Sequence, residues 1–349
     1  MGNICKVSFN DATFLANVGD LLLDSALMNG VDMPHDCRAG ICGACRVGLV
    51  EGRVWGGDVG DGTLYACQAR VVSDIRIATE SVPDPVSMSA QVTQLTSLAP
   101  DVVGVRLKLP KPLDYFPGQY CKVQFRGFPA RCYSPTFPLE GAADDHLLQL
   151  HIRTIPNGLV SSALGKRIKP GHRVKLTGPL GTAFLRPGHP GRTVLVASGT
   201  GFAPMWSVAV GAIFERPRRE TVFIVSARNL RSLYMHRALC RLALFPNVTI
   251  IPLVSESQTI SSAIRGGRPT DHMPELSSDD VVYTAGAPAM TKAVARLAKA
   301  AGAACYMDPF ESAPRPATQA GVVSRMADWL KGGPVQVQKL AAISEGEHL

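Results

Sequence analysis

No run of eighteen consecutive apolar residues occurs anywhere in the 349-residue chain, so no segment reads as a membrane-spanning helix. The opening residues MGNICKVSFNDA carry no apolar core of the kind a secretory signal needs. Gly2 is followed at position 6 by Lys6, not Ser or Thr, so the myristoylation pattern fails. Internal repeats are missing, and no basic block is interleaved with aromatics, so the net charge of +8 lacks the footprint of a nucleic-acid-binding surface. With 46% hydrophobic and 18% charged residues the chain is not of disordered composition. These absences predict a cytoplasmic globular protein with no membrane and no nucleic-acid partner.

The charge is unevenly placed. Residues 1–80 hold six Lys and Arg against ten Asp and Glu, a formal −4, which leaves +12 for the remainder. An acidic module tied to a basic one suggests electrostatic docking between the two and shared charged cofactors. Cysteine is unevenly placed as well. Four of nine cysteines fall within residues 37–67, and in a reducing compartment such a cluster points to metal before disulfides. Cys5, Cys121, Cys240 and Cys305 sit in apolar or strand contexts, where buried packing is expected.

Residues 3–9 and 12–18 read as strands around the turn Asn10-Asp11, followed by a short helical pattern that carries Leu22, Leu23, Ala26 and Leu27 and stops at Gly30. Ser81-Val82-Pro83-Asp84-Pro85 reads as a linker. Residues 90–187 look all-β, with Val103, Val105, Leu107 and Leu109 in strict alternation. From residue 192 apolar strands (193–197, 221–225, 248–253, 280–284) alternate with helical stretches (203–214, 233–244, 289–301), the pattern of a doubly wound parallel α/β domain. Residues 313–349 match neither pattern. Met326, Trp329 and Leu330 there could line a short amphipathic helix, and a tail is the simpler expectation.

The strongest chemical signal is Cys37-x4-Cys42-x2-Cys45 followed by Cys67, the spacing that plant-type [2Fe–2S] clusters use. Four soft thiolates must converge on two irons, with small residues between them so that backbone N–H groups approach the sulfides; Gly40, Gly43 and Ala44 supply these. A structural zinc site is the alternative, and it prefers paired C-x2-C units where this chain has one. With Tyr65-Ala-Cys67-Gln-Ala included, residues 1–80 resemble the ferredoxin domain of bacterial oxygenase reductases. That family has nearer thirty residues between the third and fourth cysteines, and here there are 21, so a shortened surface hairpin is expected.

Arg131-Cys-Tyr133-Ser134, after Pro117-Gly118-Gln119-Tyr120, resembles the R-x-Y-S motif of the ferredoxin–NADP reductase superfamily. The resemblance implies that Arg131 pairs with the flavin pyrophosphate, as a bidentate guanidinium suits. It implies too that Tyr133 packs on the flavin ring and that Ser134 hydrogen-bonds flavin N5; Tyr133 and Ser134 are the candidate catalytic residues. His151-Ile152-Arg153 and Gly158-Leu-Val160-Ser161 resemble the strand and helix N-terminus that hold the pyrophosphate in FAD-using relatives. A solvated charge for Arg153 and a plain helix cap for Ser161 are the alternatives. FAD is expected over FMN, because FMN-using relatives generally carry their ferredoxin domain at the other end.

Gly199-Thr200-Gly201-Phe-Ala203-Pro204 follows a strand and opens a helix, so its glycines admit a pyrophosphate at a helix N-terminus. In this place it resembles the nicotinamide-binding turn of the same superfamily. Ala285-Gly286-Ala-Pro288-Ala-Met290 resembles the C-G-x-P-x-M loop beside the nicotinamide, with Ala285 where relatives often have Cys. Asp308-Pro-Phe310 resembles the terminal motif, whose aromatic covers the flavin; Phe310 as ordinary core is the alternative. Arg228 and Tyr234 are the expected nucleotide contacts after the second strand, and NADH is expected over NADPH.

The resemblance thus implies a β-grasp ferredoxin domain (1–82), an antiparallel β-barrel flavin domain (88–188), a doubly wound parallel α/β nicotinamide domain (189–312) and an extension at 313–349. In fold class the chain is multidomain α+β and α/β. Electrons would pass from NADH to FAD to the [2Fe–2S] cluster, held by Cys37, Cys42, Cys45 and Cys67. They would then pass to an oxygenase component or an intermediate ferredoxin, the oxygenase being a Rieske-type non-haem iron enzyme. A reductase of a di-iron monooxygenase, or a redox-sensing module without turnover, would share these motifs.

Overall fold

The computed structural model describes residues 4–35, 38–40, 44–58, 62–79, 82–139, 144–186, 189, 191–256, 261 and 263–310. Cys37, Cys42, Gly43, the linker residue Ser81 and the whole of 313–349, with the helix expected near Trp329, lie outside them.

In the first domain β1 (Ile4–Phe9) and β2 (Ala12–Asn17) form a hairpin whose turn places Asn10 at φ 51°, a left-handed conformation that Asn tolerates. The helix α1 (Leu22–Met28) buries Leu22, Leu23 and Ala26. Then come β3 (Arg46–Glu51), β4 (Val54–Trp55), β5 (Thr63–Tyr65), β6 (Arg70–Val71) and β7 (Ile75–Ala78). The main sheet runs β2-β1-β7-β3-β5, with β1 and β7 parallel. It grasps α1 over a core of its own, in which Val7, Phe9, Phe14, Val47, Leu64 and Ile77 are buried.

The second domain comprises β8 (Val86–Ala99), β9 (Val102–Lys108), β10 (Tyr120–Phe125), β11 (Arg131–Tyr133), β12 (Pro135–Thr136), β13 (Leu147–Arg153) and β14 (Arg173–Leu180). The sheet order is β11-β10-β14-β8-β9-β13-β12. Its two end strands are consecutive in the chain, with Ser134 alone between them, so the sheet closes on itself at that residue. Alternate residues such as Val105, Leu107, Val123 and Leu150 fill the interior.

In the third domain β15 (Thr193–Ser198), β16 (Thr221–Ala227), β17 (Val248–Val254), β18 (Arg265–Gly266), β19 (Val281–Gly286) and β20 (Ala304–Pro309) form a parallel sheet ordered β18-β17-β16-β15-β19-β20. Helices α2 (Phe202–Glu215), α3 (His236–Leu242) and α4 (Pro288–Ala300) connect the strands. The order reverses beside β15, so the cleft for a ligand opens at the carboxyl ends of β15 and β19. One apolar cluster covers one face of this sheet and includes Ala99, Val102, Ala183 and Leu185 from the barrel; another, around Val194, Ile224 and Val294, covers the opposite face.

Two expectations are corrected. The segment opened by Ser161 is a single 3-10 turn, Ser161–Ala163, not a helix; the chain turns back at Gly165, at φ 76°, before a macrodipole can build up. Cys240 is exposed, whereas Cys5 and Cys121 are buried as expected. It lies on the side of α3 opposite Ala238, Leu239 and Leu242, which face inward.

Candidate active site

Two of the four expected cysteine ligands, Cys45 and Cys67, are brought near each other through strand pairing. Cys45 directly precedes β3 and Cys67 closely follows β5, and these strands run antiparallel with Arg46 opposite Tyr65. Ala66 N donates to Cys45 O at 3.0 Å, which clips the two ends together. Both cysteines are buried, at 3% and 5% exposure. The amide of Gln68 lies 3.6 Å from Cys67 Sγ, a weak donor of the kind that tunes thiolate ligands. Gly40 lies against the same glutamine, so tightly that a Cβ there would fall 2.7 Å from Gln68 Cγ. Two soft thiols at one buried end, with Gly40 packed against the same glutamine, suit a cluster. Cys37 and Cys42, the other two expected ligands, lie outside the described residues.

At the barrel's closure Arg131 and Tyr133 are half-buried and Ser134 is 5% exposed. Arg131 uses one amine on Ala130 O at 2.8 Å and makes no ion pair among the described residues, so its guanidinium remains available to a phosphate. Burial pushes the Tyr133 phenol up to about 12. Ser134 Oγ donates to Asp308 Oδ2 at 3.4 Å. Burial raises that carboxyl to about 6, against the pull of the serine hydrogen bond. Asp308 was not among the candidates, although an acid just before Pro-Phe at the end of the last strand was a readable signal.

The rest of the expected flavin segment has mixed placings. His151 and Ile152 are buried and Arg153 is exposed, with its Nε 3.3 Å from Asp101. His151 Nδ1 meets Tyr234 OH at 3.1 Å, its Nε2 has no partner among the described residues, and burial lowers its pKa to about 3. Ser161 Oγ accepts from Ile155 N at 3.1 Å. It also crowds Gly158, where a Cβ would lie 2.5 Å from that oxygen. Val160 points into the barrel core.

On the nucleotide side the loops at the carboxyl ends of β15, β19 and β20 converge. Ala287 N donates to Ser198 Oγ at 2.9 Å, and Phe310 N donates to Gly286 O at 2.7 Å. Gly286 has φ 122° and abuts Ser198, so a Cβ there would lie 2.4 Å from the serine's oxygens; one on Gly201 would fall 2.1 Å from Ala285 O. Glycine at both places lets the two loops close on each other and leaves their backbones toward the cleft. Ser198, which carries this junction, was also missed. Gly199 and Thr200 form the turn that leads into α2. Ala203 and Pro204 are buried in its first turn, where the missing proline N–H is harmless. Ala285 is buried, Pro288 opens α4, and half-buried Met290 accepts a contact from Thr284 Oγ1 at 3.4 Å. Phe310 is half-buried against the core shared by barrel and sheet. Arg228 is exposed beyond β16, as a nucleotide contact requires. Tyr234 is placed otherwise: it is buried, edge-on to Phe202 and against His151, and burial raises its phenol well above the usual range.

A groove of about 670 Å³ opens elsewhere on the barrel between Tyr115, Phe137 and Gln149, and none of these candidates lines it.

Three family descriptions match the chain in order: a 2Fe-2S iron-sulfur cluster binding domain at residues 7–72, an oxidoreductase FAD-binding domain at 89–184 and an oxidoreductase NAD-binding domain at 195–296. The chain is 30% identical over 318 residues to the ferredoxin–NAD(P)+ reductase component of a naphthalene 1,2-dioxygenase system from Pseudomonas putida, covering 84% of this chain and 94% of that one. It is 33% identical over 304 residues to the reductase component of the naphthalene 1,2-dioxygenase/salicylate 5-hydroxylase systems of a Ralstonia species, covering 81% and 91%. Among solved structures, a cytochrome P450 reductase from Amycolatopsis superposes with a TM-score of 0.62 at 28% identity, over 89% of this chain and all of that one.

Proposed function

Since the chain belongs to the ferredoxin–NAD(P)+ reductases that carry a 2Fe-2S domain ahead of their FAD- and NAD-binding domains, we propose that it takes hydride from NADH at the junction of Ser134, Asp308 and Gly286. It is an NAD(P)H-dependent oxidoreductase that moves electrons through FAD and a [2Fe–2S] cluster to an oxygenase system. The observation that carries the site is the Ser134–Asp308 hydrogen bond, which joins the barrel's closure to the end of β20. It stands beside the loop contacts that gather Ser198, Gly286 and Phe310.

Bound FAD would accept a hydride and release electrons singly to the cluster, which takes one at a time. The chain's own residues bind and orient. Arg131 offers its fork to the pyrophosphate of the flavin nucleotide. Ser134 presents a hydroxyl that Asp308 keeps aimed by accepting its hydrogen bond. The glycine loops at Gly199–Gly201 and Gly286 bring backbone N–H groups to the pyrophosphate of the dinucleotide. Phe310, fixed through its own N–H to Gly286 O, covers the cleft from water. Ala285 would lie beside a bound nicotinamide, where a methyl could steer by packing alone.

NADH is favoured because exposed Arg228 stands without a dedicated second base for a 2′-phosphate, Arg231 being its nearest basic neighbour in sequence. The final acceptor is a Rieske-type oxygenase or an intermediate ferredoxin, in the cytoplasm where NADH is supplied. Domain limits of 1–82, 88–188 and 189–312 follow from the same reading.

The test is an anaerobic titration of the holoenzyme with NADH and separately NADPH, followed by absorbance and EPR. Flavin bleaching with a reduced [2Fe–2S] signal, at lower NADH than NADPH, is the expected result. Bleaching without the signal would leave a flavin reductase, and no reduction by either nucleotide would overturn the assignment.

A further inference from the structure

Tyr306, midway along β20, is the point where all three domains touch. From the ferredoxin domain, the Arg46 guanidinium lies over its ring with Cζ 4.2 Å from the centroid, and Arg46 Nη1 donates to the neighbouring Cys305 O at 3.4 Å. From the segment joining barrel to nucleotide domain, the Arg186 guanidinium lies over the same ring at 4.0 Å. Beneath them Tyr283 stacks on Tyr306 with centroids 5.2 Å apart and planes 18° from parallel. Its hydroxyl accepts from Arg186 N at 2.9 Å.

Each guanidinium is held before it reaches the ring. Arg46 Nε donates to Thr63 Oγ1 at 2.8 Å across the ferredoxin sheet. Arg186 Nη1 donates to Thr182 O at 2.7 Å and Phe184 O at 2.6 Å, and its plane lies over the Phe184 ring at 3.5 Å. Arg46, Arg186 and Tyr306 are each less than a tenth exposed. Contacts of this kind strengthen when desolvated, and a planar, pre-aimed guanidinium gives up little freedom to make them.

The placing along the chain gives the junction a task. Arg46 directly follows Cys45, whose carbonyl is clipped to the strand end that carries Cys67. Tyr306 precedes Asp308 by two residues, about 7 Å of extended chain, and Asp308 accepts the hydrogen bond from Ser134. One strand thus touches the residue that follows Cys45 at its middle and the serine of the barrel's closure at its end.

We propose that Arg46 and Tyr306, backed by Arg186, are positioning residues that dock the ferredoxin domain for one-electron transfer from flavin to cluster. This rests on the function proposed above. With FAD and the cluster bound, the two electrons that arrive as hydride would leave one at a time, each reducing the cluster once before the acceptor oxidises it, and the proton would pass to solvent.

The test uses holoenzyme carrying Arg46→Gln or Tyr306→Leu, with Tyr306→Phe as the conservative variant, in anaerobic stopped flow and small-angle X-ray scattering. Flavin bleaching by NADH is expected at the wild-type rate. Cluster reduction is expected to slow about tenfold in Arg46→Gln and Tyr306→Leu, the population shift that follows loss of one desolvated cation–π contact. The double variant should be no slower than the singles, Tyr306→Phe should match wild type, and scattering should show a larger radius in the two slow variants. Wild-type cluster reduction and an unchanged scattering profile in both would overturn the proposal. If the wild-type protein itself moved no electrons from NADH to the cluster, the functional assignment would fall, and the scattering comparison would still decide the docking contact.

Discussion

Between the barrel and the nucleotide domain the apolar core runs without a break: Ala99, Val102, Ala183 and Leu185 share one cluster with Phe202, Trp206 and Ala209. Between the ferredoxin domain and the nucleotide domain, the contacts among the described residues include Arg46 on a ring face and on a carbonyl, while the ferredoxin core forms a cluster of its own. The first arrangement suits the proposed site, built from two domains that must not move if Ser134 and Gly286 are to meet the same two cofactors. The second suits a module that must be placed and yet face an external acceptor. Apolar burial is non-directional and grows with area, whereas a guanidinium on a ring is local and directional. On the proposals above, the hydride-transfer site would be fixed by bulk and the electron outlet by aim.

The sharpest way to break the comparison is at the cluster. Cys67→Ala should abolish the [2Fe–2S] EPR signal and cytochrome c reduction while sparing NADH-driven ferricyanide reduction, which needs the flavin alone. Loss of both activities would mean that the ferredoxin core does not stand apart after all. Next in size is Phe202→Ala. Phe202 is fully buried, stacked 5.9 Å from Trp206 and 5.8 Å from Phe223, and truncation of such a ring costs about 3–5 kcal/mol. Calorimetry should show barrel and nucleotide domain melting together at lower temperature, with FAD fluorescence released in the same step and the cluster's visible absorbance persisting beyond it. Two separate flavin-domain transitions would break the claim of a shared core.

Much of this was legible in the sequence because it depends on local period and spacing. The alternation through Val103–Leu109, the β-to-α rhythm after residue 192 and the four-cysteine spacing each follow from short-range rules. What escaped depends on contacts across long separations. Asp308 meets a serine 174 residues away, and Arg46 meets a strand 259 residues on. Tyr234 was taken for a nucleotide contact, although its neighbours Leu233 and Met235 already marked an inward segment. Ser161 was given a helix that Gly165 ends after one turn, and the helical period of α3 would have turned Cys240 outward. Cys37 and Cys42 lie outside the described residues, so the ligand set stands on the spacing together with the buried pair Cys45 and Cys67.

A third test, smaller in effect, asks how the fixed side of the molecule tolerates a charge. Burial holds the Asp308 carboxyl at about 6, above its ordinary 3.8. Between those values the native chain keeps a proton that the unfolded chain has released, so this group's contribution to stability is lost as pH rises through that window. Asp308→Asn, always neutral, should therefore be more stable than wild type above pH about 6, by about 1–2 kcal/mol. That is less than the full shift implies, because the side chain is only half-buried. Below pH about 4 the two should melt alike. The same variant should slow flavin bleaching by NADH, since Ser134 loses its anionic acceptor. A melting temperature that tracks wild type at every pH would show that the carboxyl is solvated.

The finest test lies where Tyr234 joins the barrel's His151 to the nucleotide domain. Tyr234→Phe keeps the ring against Phe202 and removes the hydroxyl that meets His151 Nδ1 at 3.1 Å. His151 Nε2 has no partner among the described residues, so the variant removes the one hydrogen bond that those residues give this buried imidazole. The cost of that is about 1 kcal/mol or slightly more. Burial holds His151 near 3, so it is neutral at neutral pH and the loss should be the same from pH 5 to 8. Denaturant melts should show this uniform drop, while the KM for NADH stays at its wild-type value. A raised KM with unaltered stability would place Tyr234 on the nucleotide and make the barrel seam purely apolar.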